Sequence, residues 1–211
     1  VKPENGVYCA GGMIYRVHGG KAELIMSADD IKLPGTHNLE NYMAAFAATD
    51  GYVDDNTCIA VAKSFAGVEH RLEQVRVLNG VTYINDSIGT SPTRTAAGLH
   101  ALKTKPILIA GGYDKHIPFD ELGNEICLHV KKLYLTGATT EKIYDAVINS
   151  KYYDGKLPIE KIYDFKETVL AAANAAQYGD IVLLSPACAA FDKFKNFMER
   201  GKYFKQIVME L

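Results

Sequence analysis

The chain has 211 residues, 48% of them hydrophobic, and a formal net charge of -2. That size suits one large domain or two small ones, and the near-neutral charge without a dense Lys/Arg run argues against a nucleic-acid surface. No stretch approaches the roughly 18 apolar residues that span a bilayer, and no signal peptide is visible, so no membrane contact and a cytoplasmic location are expected. Cys9, Cys58, Cys127 and Cys188 are scattered, without a CxxC pair or a His at ligand spacing. Reduced thiols and no metal site are expected. A start at Val1 rather than Met reads as a piece of something longer.

Residues 5–33 form three short runs separated by Gly11-Gly12 and Gly19-Gly20, the pattern of a β-meander. A new region opens at Leu33-Pro34-Gly35. From His37 to Thr49, Leu39, Met43, Phe46 and Ala47 recur at helical spacing. A second helix is expected from Asp55, as its cap, to Phe65, with Ile59, Ala62 and Phe65 on one face. These residues hold too few long strands to close a core comfortably and read as the tail end of a domain.

A boundary is placed near Val68–Arg71, dividing 1–70 from 71–211. Beyond it, LEQVRVLNGVTYIND is two alternating strands joined by Asn79-Gly80, a strong hairpin signal. Helix and strand then alternate. Helices are expected at 92–102, 119–129, 140–149, 166–178 and 192–209, and strands at 106–110, 132–136, 161–163 and 181–185. Ser91-Pro92 marks the first helix start, with Ser as cap and Pro at the first helical position. The runs ILIA and IVLL are apolar throughout, as buried parallel strands are. The fold class is α/β, a doubly wound, mostly parallel sheet preceded by a partial α+β segment.

Three loops fall at carboxyl ends of these strands: Asp86–Ser91, Gly111–Lys115 and Ser185–Phe191. Parallel strands point the same way, so the loops gather on one sheet edge, where such folds bind ligands. Asp86 can grip a ribose hydroxyl or simply form a turn. Gly111-Gly112 lets backbone approach a ligand and Lys115 brings a compact cation for a carboxylate or phosphate; the alternative is a tight turn with a solvated lysine. Cys188 reads as packed rather than reactive, and Phe194 and Phe197 read as core. Asn38 and Asn41 sit at a helix start, where capping accounts for one of them. Arg71, at the domain junction, can reach a phosphate as a planar fork or remain on the surface. Lys131-Lys132 and the Lys193, Lys195, Arg200 and Lys202 group read as solvated helix sides. There is no GxxxxGK[ST] phosphate loop, GxGxxG, nucleophile elbow or HExxH, so a self-sufficient nucleotide-hydrolysing site is not encoded here.

Five stretches carry a resemblance: LPGTHNLEN at 33–41, HRLE at 70–73, YINDSIGTSPTRT at 83–95, GGYDK at 111–115 and LLSPACAAFDKFKNFMERG at 183–201. Through them the chain resembles the Mur ligases over essentially its whole length, and within them the branch that adds D-glutamate. The resemblance implies that residues 1–70 end a central ATP-binding domain and that 71–211 form a Rossmann-like C-terminal domain. It implies ATP and Mg2+ as cofactors, with the phosphate loop and the Mg2+ ligands outside this chain. The implied substrates are D-glutamate and UDP-N-acetylmuramoyl-L-alanine, joined through an acyl phosphate in peptidoglycan precursor synthesis by a monomeric full-length protein. Position by position it assigns Asn38 and Asn41 to the adenine and ribose, Arg71 to the nucleotide and Asp86 to the ribose hydroxyls. Thr90 and Lys115 fall to the carboxylates of D-glutamate, with Phe191 and Phe197 in the same pocket. No catalytic residue and no metal ligand is assigned.

The chain departs from the family pattern at Ile88, where many members carry a lysine, and at Ala190, where many carry a serine. The expectation is a ligase part inactive by itself. The alternative is a non-catalytic module that binds a nucleotide or an amino acid. A dinucleotide oxidoreductase is disfavoured by the missing glycine fingerprint.

Overall fold

The computed structural model describes residues 3–33 and 35–211, and among them no helix is long and apolar enough to cross a membrane. Pro34, in the expected break, and the His37 side chain lie outside the described residues. By contact density the chain divides into two units, one ending at Gly67 and one spanning Val68–Leu211.

Glycine pairs shape the first unit. Gly11 and Gly12 (φ 57° and 75°) and Gly19 and Gly20 (φ 53° and 78°) supply the consecutive positive φ values that tight hairpin turns require. They join β1 (Gly6–Ala10), β2 (Met13–His18) and β3 (Lys21–Ser27) into the expected antiparallel meander. Helices α1 (Thr36–Ala48) and α2 (Asp55–Ser64) follow. Ile14, Ile25, Met26, Phe46, Cys58 and Ala62 close a small core of the unit's own, while Tyr52, Val61 and Phe65 stay exposed. Two expectations for α2 are corrected. Its cap is Asp54, whose carboxylate accepts from Thr57 N at 3.0 Å, because the residue before the first turn faces the free amide groups. Phe65 leaves the helix as its C-cap, and the buried face falls to Cys58 and Ala62. Arg16 is buried and ties β2 to the two helices, pairing with Asp50 and Asp55 and donating to Phe46 O.

The second unit opens with the hairpin of β4 (Glu73–Leu78) and β5 (Val81–Asn85), turned at Asn79 and Gly80 with φ of 51° and 79°. Then come α3 (Pro92–Ala101), β6 (Ile107–Ala110), α4 (Asp120–His129), β7 (Lys132–Leu135), α5 (Thr140–Ile148), β8 (Ile159–Lys161), α6 (Phe165–Ala175), β9 (Ile181–Leu184) and α7 (Phe197–Glu210). The six-stranded sheet runs β4-β5-β9-β6-β7-β8, with only β4 antiparallel. Alternation along each strand splits the core in two. Ile84, Leu108, Leu133, Leu135 and Leu183 face α3, α4 and α5. Tyr83, Ile107, Ile109, Tyr134, Val182 and Leu184 face α6 and α7. Each fully buried aliphatic side chain contributes roughly 1.5–3 kcal/mol, so these two layers hold the sheet.

Element ends shift where local chemistry was misread. β8 begins at Ile159, before the expected Lys161, because pairing to β7 sets its register. α7 begins at Phe197 rather than Asp192, since Asn196 caps it by accepting from Glu199 N at 2.9 Å. α6 ends at Ala175, before the expected Tyr178. Ser91 takes the N-cap position of α3, but its hydroxyl lies 3.2 Å from that of Thr93 rather than on a backbone amide.

The close seat of α4 on α5 depends on Gly123, where a Cβ would lie 2.2 Å from Ala146 O. Alanine is the better helix former by about 1 kcal/mol, but here it must push two backbones apart. Gly123→Ala is therefore expected to lower the unfolding free energy by roughly 1–3 kcal/mol in urea titrations, against its helix propensity. A stabilised variant would refute this packing.

Candidate functional site

Strand order locates the site. β5 leads through α3 to β6, yet β9 returns between them, so the carboxyl ends of β5, β9 and β6 lie side by side where the winding reverses. The loops that leave them are bonded to one another. Asp86 N donates to Leu184 O at 2.7 Å, Gly111 N to Pro186 O at 2.8 Å, and Tyr113 N to Ala189 O at 2.9 Å. Lys115 Nζ donates to Thr90 O at 3.0 Å, closing the set. The expected gathering of three loops on one edge is present.

Arg200, on the first turns of α7, is the knot beneath them. Only 2% exposed, it was expected on a solvated helix side and is instead buried. Nε donates to Ser87 Oγ at 3.0 Å, Nη1 to Ala189 O at 3.1 Å, and Nη2 to Ser87 O and Cys188 O at 3.0 Å each. The planar fork thus spans the loops after β5 and β9, a geometry that Lys cannot reproduce. Burial pulls its pKa down to about 10, which leaves it charged at neutral pH. Ser87 Oγ in turn donates to Phe197 O at 2.8 Å. The sequence signal was Gly201, a glycine inside a helical pattern, which marks close approach. A Cβ there would lie 2.3 Å from His70 Nδ1.

His70 and Asn85 form a second buried group that sequence reasoning missed. Asn85 Nδ2 donates to His70 Nδ1 at 2.9 Å and to Glu73 Oε2 at 3.1 Å, while its Oδ1 accepts from Ser87 N at 3.1 Å. Accepting at Nδ1 puts the neutral imidazole's proton on Nε2, and burial lowers the His70 pKa in keeping with a neutral ring.

Asp86 is also buried. Its Oδ2 accepts from Ser185 Oγ at 2.6 Å and its Oδ1 from Leu72 N at 3.2 Å. Desolvation pushes its pKa up to about 6, against the opposing pull of the Ser185 hydroxyl.

The other expected residues are distributed as follows. Thr90 and Lys115 meet, as above, with Lys115 exposed. Phe191 is 64% exposed and packs edge-on against Tyr113 at 5.9 Å between centroids. Phe197 is half-buried at the start of α7, 6.0 Å from the His70 ring rather than in the core cluster. Arg71 is exposed at the start of the second unit, beside the buried His70. Asn38 and Asn41 lie on α1 in the first unit, the former half-buried and the latter exposed. Gly111 and Gly112 sit where the backbone packs tightly. A Cβ at Gly111 would lie 1.9 Å from Thr136 O, and one at Gly112 would lie 2.4 Å from Ala189 O, so both serve backbone packing between loops. Cys188 packs as expected, with burial pushing its thiol up to about 11 beside Thr139 Oγ1 at 3.1 Å. Ile88 is half-buried with its N–H on His70 O at 3.1 Å, and Ala190 is buried.

A magnesium ion wants near-octahedral oxygen ligands. Among the described residues, two groups could gather around a metal ion, Glu69/His70/Glu73 and His100/Glu125/His129. Neither is an all-oxygen set or lies in the three loops. In the first, Lys205 bonds both Glu69 and Glu73 and Asn85 occupies His70. The residues present do not fit Mg2+, and no step is routed through it.

Two outcomes follow. Arg200→Met leaves buried carbonyls without donors and is expected to cost about 3 kcal/mol or more in urea unfolding; a loss under about 1 kcal/mol would remove Arg200 as the knot. For Asp86, a folded pKa raised above its unfolded value means that ionisation opposes folding. Its contribution worsens as pH rises from 3.8 through about 6, by about 3 kcal/mol in total. The stability of Asp86→Asn relative to the unaltered chain should therefore improve between pH 4.5 and 7.5, most of it above pH 5. A pH-independent difference would show that Asp86 titrates normally.

A family model described as Mur ligase, glutamate ligase domain, matches residues 70–188. The chain is 49% identical over 209 residues to the UDP-N-acetylmuramoylalanine–D-glutamate ligase of Clostridium botulinum, covering 99% of this chain and 45% of that protein. It is 49% identical over 208 residues to the ligase of the same name from Acetivibrio thermocellus, covering 97% and 45%. Among solved structures, a pseudomurein peptide ligase type C from Methanothermus fervidus aligns with a TM-score of 0.64 at 14% identity, over 100% of this chain and 42% of that one. E. coli FolC in complex with ADP aligns at 0.63 and 16% identity, over 97% and 46%. These last two likenesses concern the fold alone. The chain spans less than half the length of the curated relatives it matches. With the match covering more than half of its residues, the chain belongs to the Mur ligase family.

Proposed function

We propose that this chain is the amino-acid-holding part of the ATP-dependent ligase that joins D-glutamate to UDP-N-acetylmuramoyl-L-alanine in peptidoglycan precursor synthesis. The observation that carries the reading is the meeting of Thr90 and Lys115 at the carboxyl edge of the sheet, with the ammonium 3.0 Å from Thr90 O. The names of its relatives support the same substrate pair. On this reading residues 1–70 end the central ATP-binding domain and 71–211 form the C-terminal domain. Mg2+ is held by residues outside this chain. The whole enzyme works as a monomer in the cytoplasm and serves cell-wall growth, and with it cell shape and division.

ATP supplies the phosphoryl group that turns the substrate carboxylate into an acyl phosphate. Lys115 places a cation where a D-glutamate carboxylate can pair with it, and Thr90 adds a hydroxyl donor. Held so, the amine is oriented toward the activated carbonyl, and orientation is what such a site contributes. Phe191 offers backbone and Phe197 lines the same pocket. Arg71 faces the nucleotide phosphates as a fork, and Asn38 and Asn41 serve the adenine and ribose. Asp86 takes a ribose hydroxyl. A carboxylate has about four acceptor positions, and Leu72 N and Ser185 Oγ use part of them. Ala190 in place of serine leaves one fewer donor, a role open to Thr90, Ser91 or backbone N–H groups.

In the full-length ligase, Lys115→Ala is expected to raise KM for D-glutamate by roughly 10- to 100-fold, the worth of a hydrogen bond to a charged group, with KM for ATP little changed. Equal effects on both substrates would remove Lys115 from the amino-acid pocket. The 211-residue chain alone, lacking a phosphate loop, should form no ADP in response to D-glutamate; measurable turnover would overturn that reading.

A further inference from the structure

Outside the site, α3 and α4 bring three metal-ligating side chains together. Glu125 and His129 sit one turn apart on α4, so they share a face. His100, in the last turn of α3, reaches across to them. His100 Nε2 lies 2.5 Å from Glu125 Oε2, and His129 Nε2 lies 3.4 Å from the same oxygen. The imidazole rings are 4.8 Å apart between centroids and inclined at 59°. One ligand atom from each of the three side chains falls within 4.8 Å of the others.

We propose that His100, Glu125 and His129 form a site for a divalent transition metal of the zinc class, clamping the end of α3 to α4. Zinc takes imidazole nitrogen and carboxylate oxygen at about 2.0–2.2 Å, so tetrahedral ligands stand roughly 3.3 Å from one another. The observed spacing brackets that value, and rotation of surface side chains closes the difference without moving either helix. The His100 and His129 side chains are 56% and 42% exposed, so a metal can enter from solvent. Three protein ligands leave a fourth position for water. The donor set excludes Mg2+ and Ca2+, which want oxygen. Because the three ligands come from two helices, a bound metal cross-links the end of α3 to α4. α3 carries the Asp86–Ser91 loop at its start and α4 follows the Lys115 loop, yet the clamp ties their far ends. The Glu69/His70/Glu73 group has no such freedom, because Lys205 and Asn85 already occupy it. This site does not depend on the ligase reading.

The test is thermal unfolding and titration calorimetry of the 211-residue chain with ZnCl2, and with MgCl2 in parallel. Binding of one Zn2+ is expected, and at roughly 100-fold above the dissociation constant the unfolding midpoint should rise by about 5 °C or more. His100→Ala and His129→Ala alter exposed groups and should fold with nearly unchanged midpoints without metal. Each should lose the Zn2+ shift and weaken binding by at least tenfold. Co2+ should bind with the same dependence and without thiolate charge-transfer absorption. No Zn2+ shift, an equal shift in both variants, a thiolate signature assigning the metal to cysteine, or an equal response to Mg2+ would each overturn the site.

Discussion

The candidate site rests on one buried guanidinium. Arg200 reaches the loops after β5 and β9 and bonds backbone at Ser87, Cys188 and Ala189. Leaving water costs a cation much of its solvation, and only several well-placed acceptors return it. Those acceptors are carbonyls rather than a carboxylate, so the charge is not neutralised by the contacts that hold it. The guanidinium therefore fixes loop backbones and adds positive potential under an edge where Lys115 also stands. A neutral side chain of the same length would supply neither.

Around that knot the backbone is drawn in as far as sterics allow. Gly111, Gly112 and Gly137 each sit where a Cβ would meet a neighbouring loop or side chain at 2.4 Å or less. Gly89 is similar, with Asp86 Oδ2 2.7 Å from its would-be Cβ. These contacts leave the loop backbones little room to rearrange. The cost is concentrated in Asp86, a carboxylate that burial drives toward its protonated form while Ser185 and Leu72 hold it in place.

The electrostatic character of the edge follows from where charges end. The carboxylate of Asp114 is occupied by Lys142, which holds its pKa low, and Asp86 lies beneath the surface. Among the described residues Lys115 bonds a carbonyl oxygen and no carboxylate, so no carboxylate contact neutralises its charge. The edge therefore presents a cation at its surface and keeps these carboxylates paired or buried.

Much of this was legible in the residues. The Asn79-Gly80 hairpin, the glycine-paired meander and the alternation of helix with apolar strand are local patterns, and local backbone preference produced them as read. Parallel strands place their carboxyl ends together, so the convergence of the loops at Asp86, Lys115 and Ser185 also followed from order along the chain. What the sequence could not state is burial, since burial depends on what packs from elsewhere. Arg200 looked like one more charge on a solvated helix; only the approach of α7 to β5, permitted by Gly201, made it the hub. Gly111 and Gly112 announced close approach but not to what, and the fold spent them on backbone. His70 with Asn85, and His100 with Glu125 and His129, combine residues from separate elements. No spacing along one chain segment reveals such groups, because the contact exists only after the helices and strands are laid side by side.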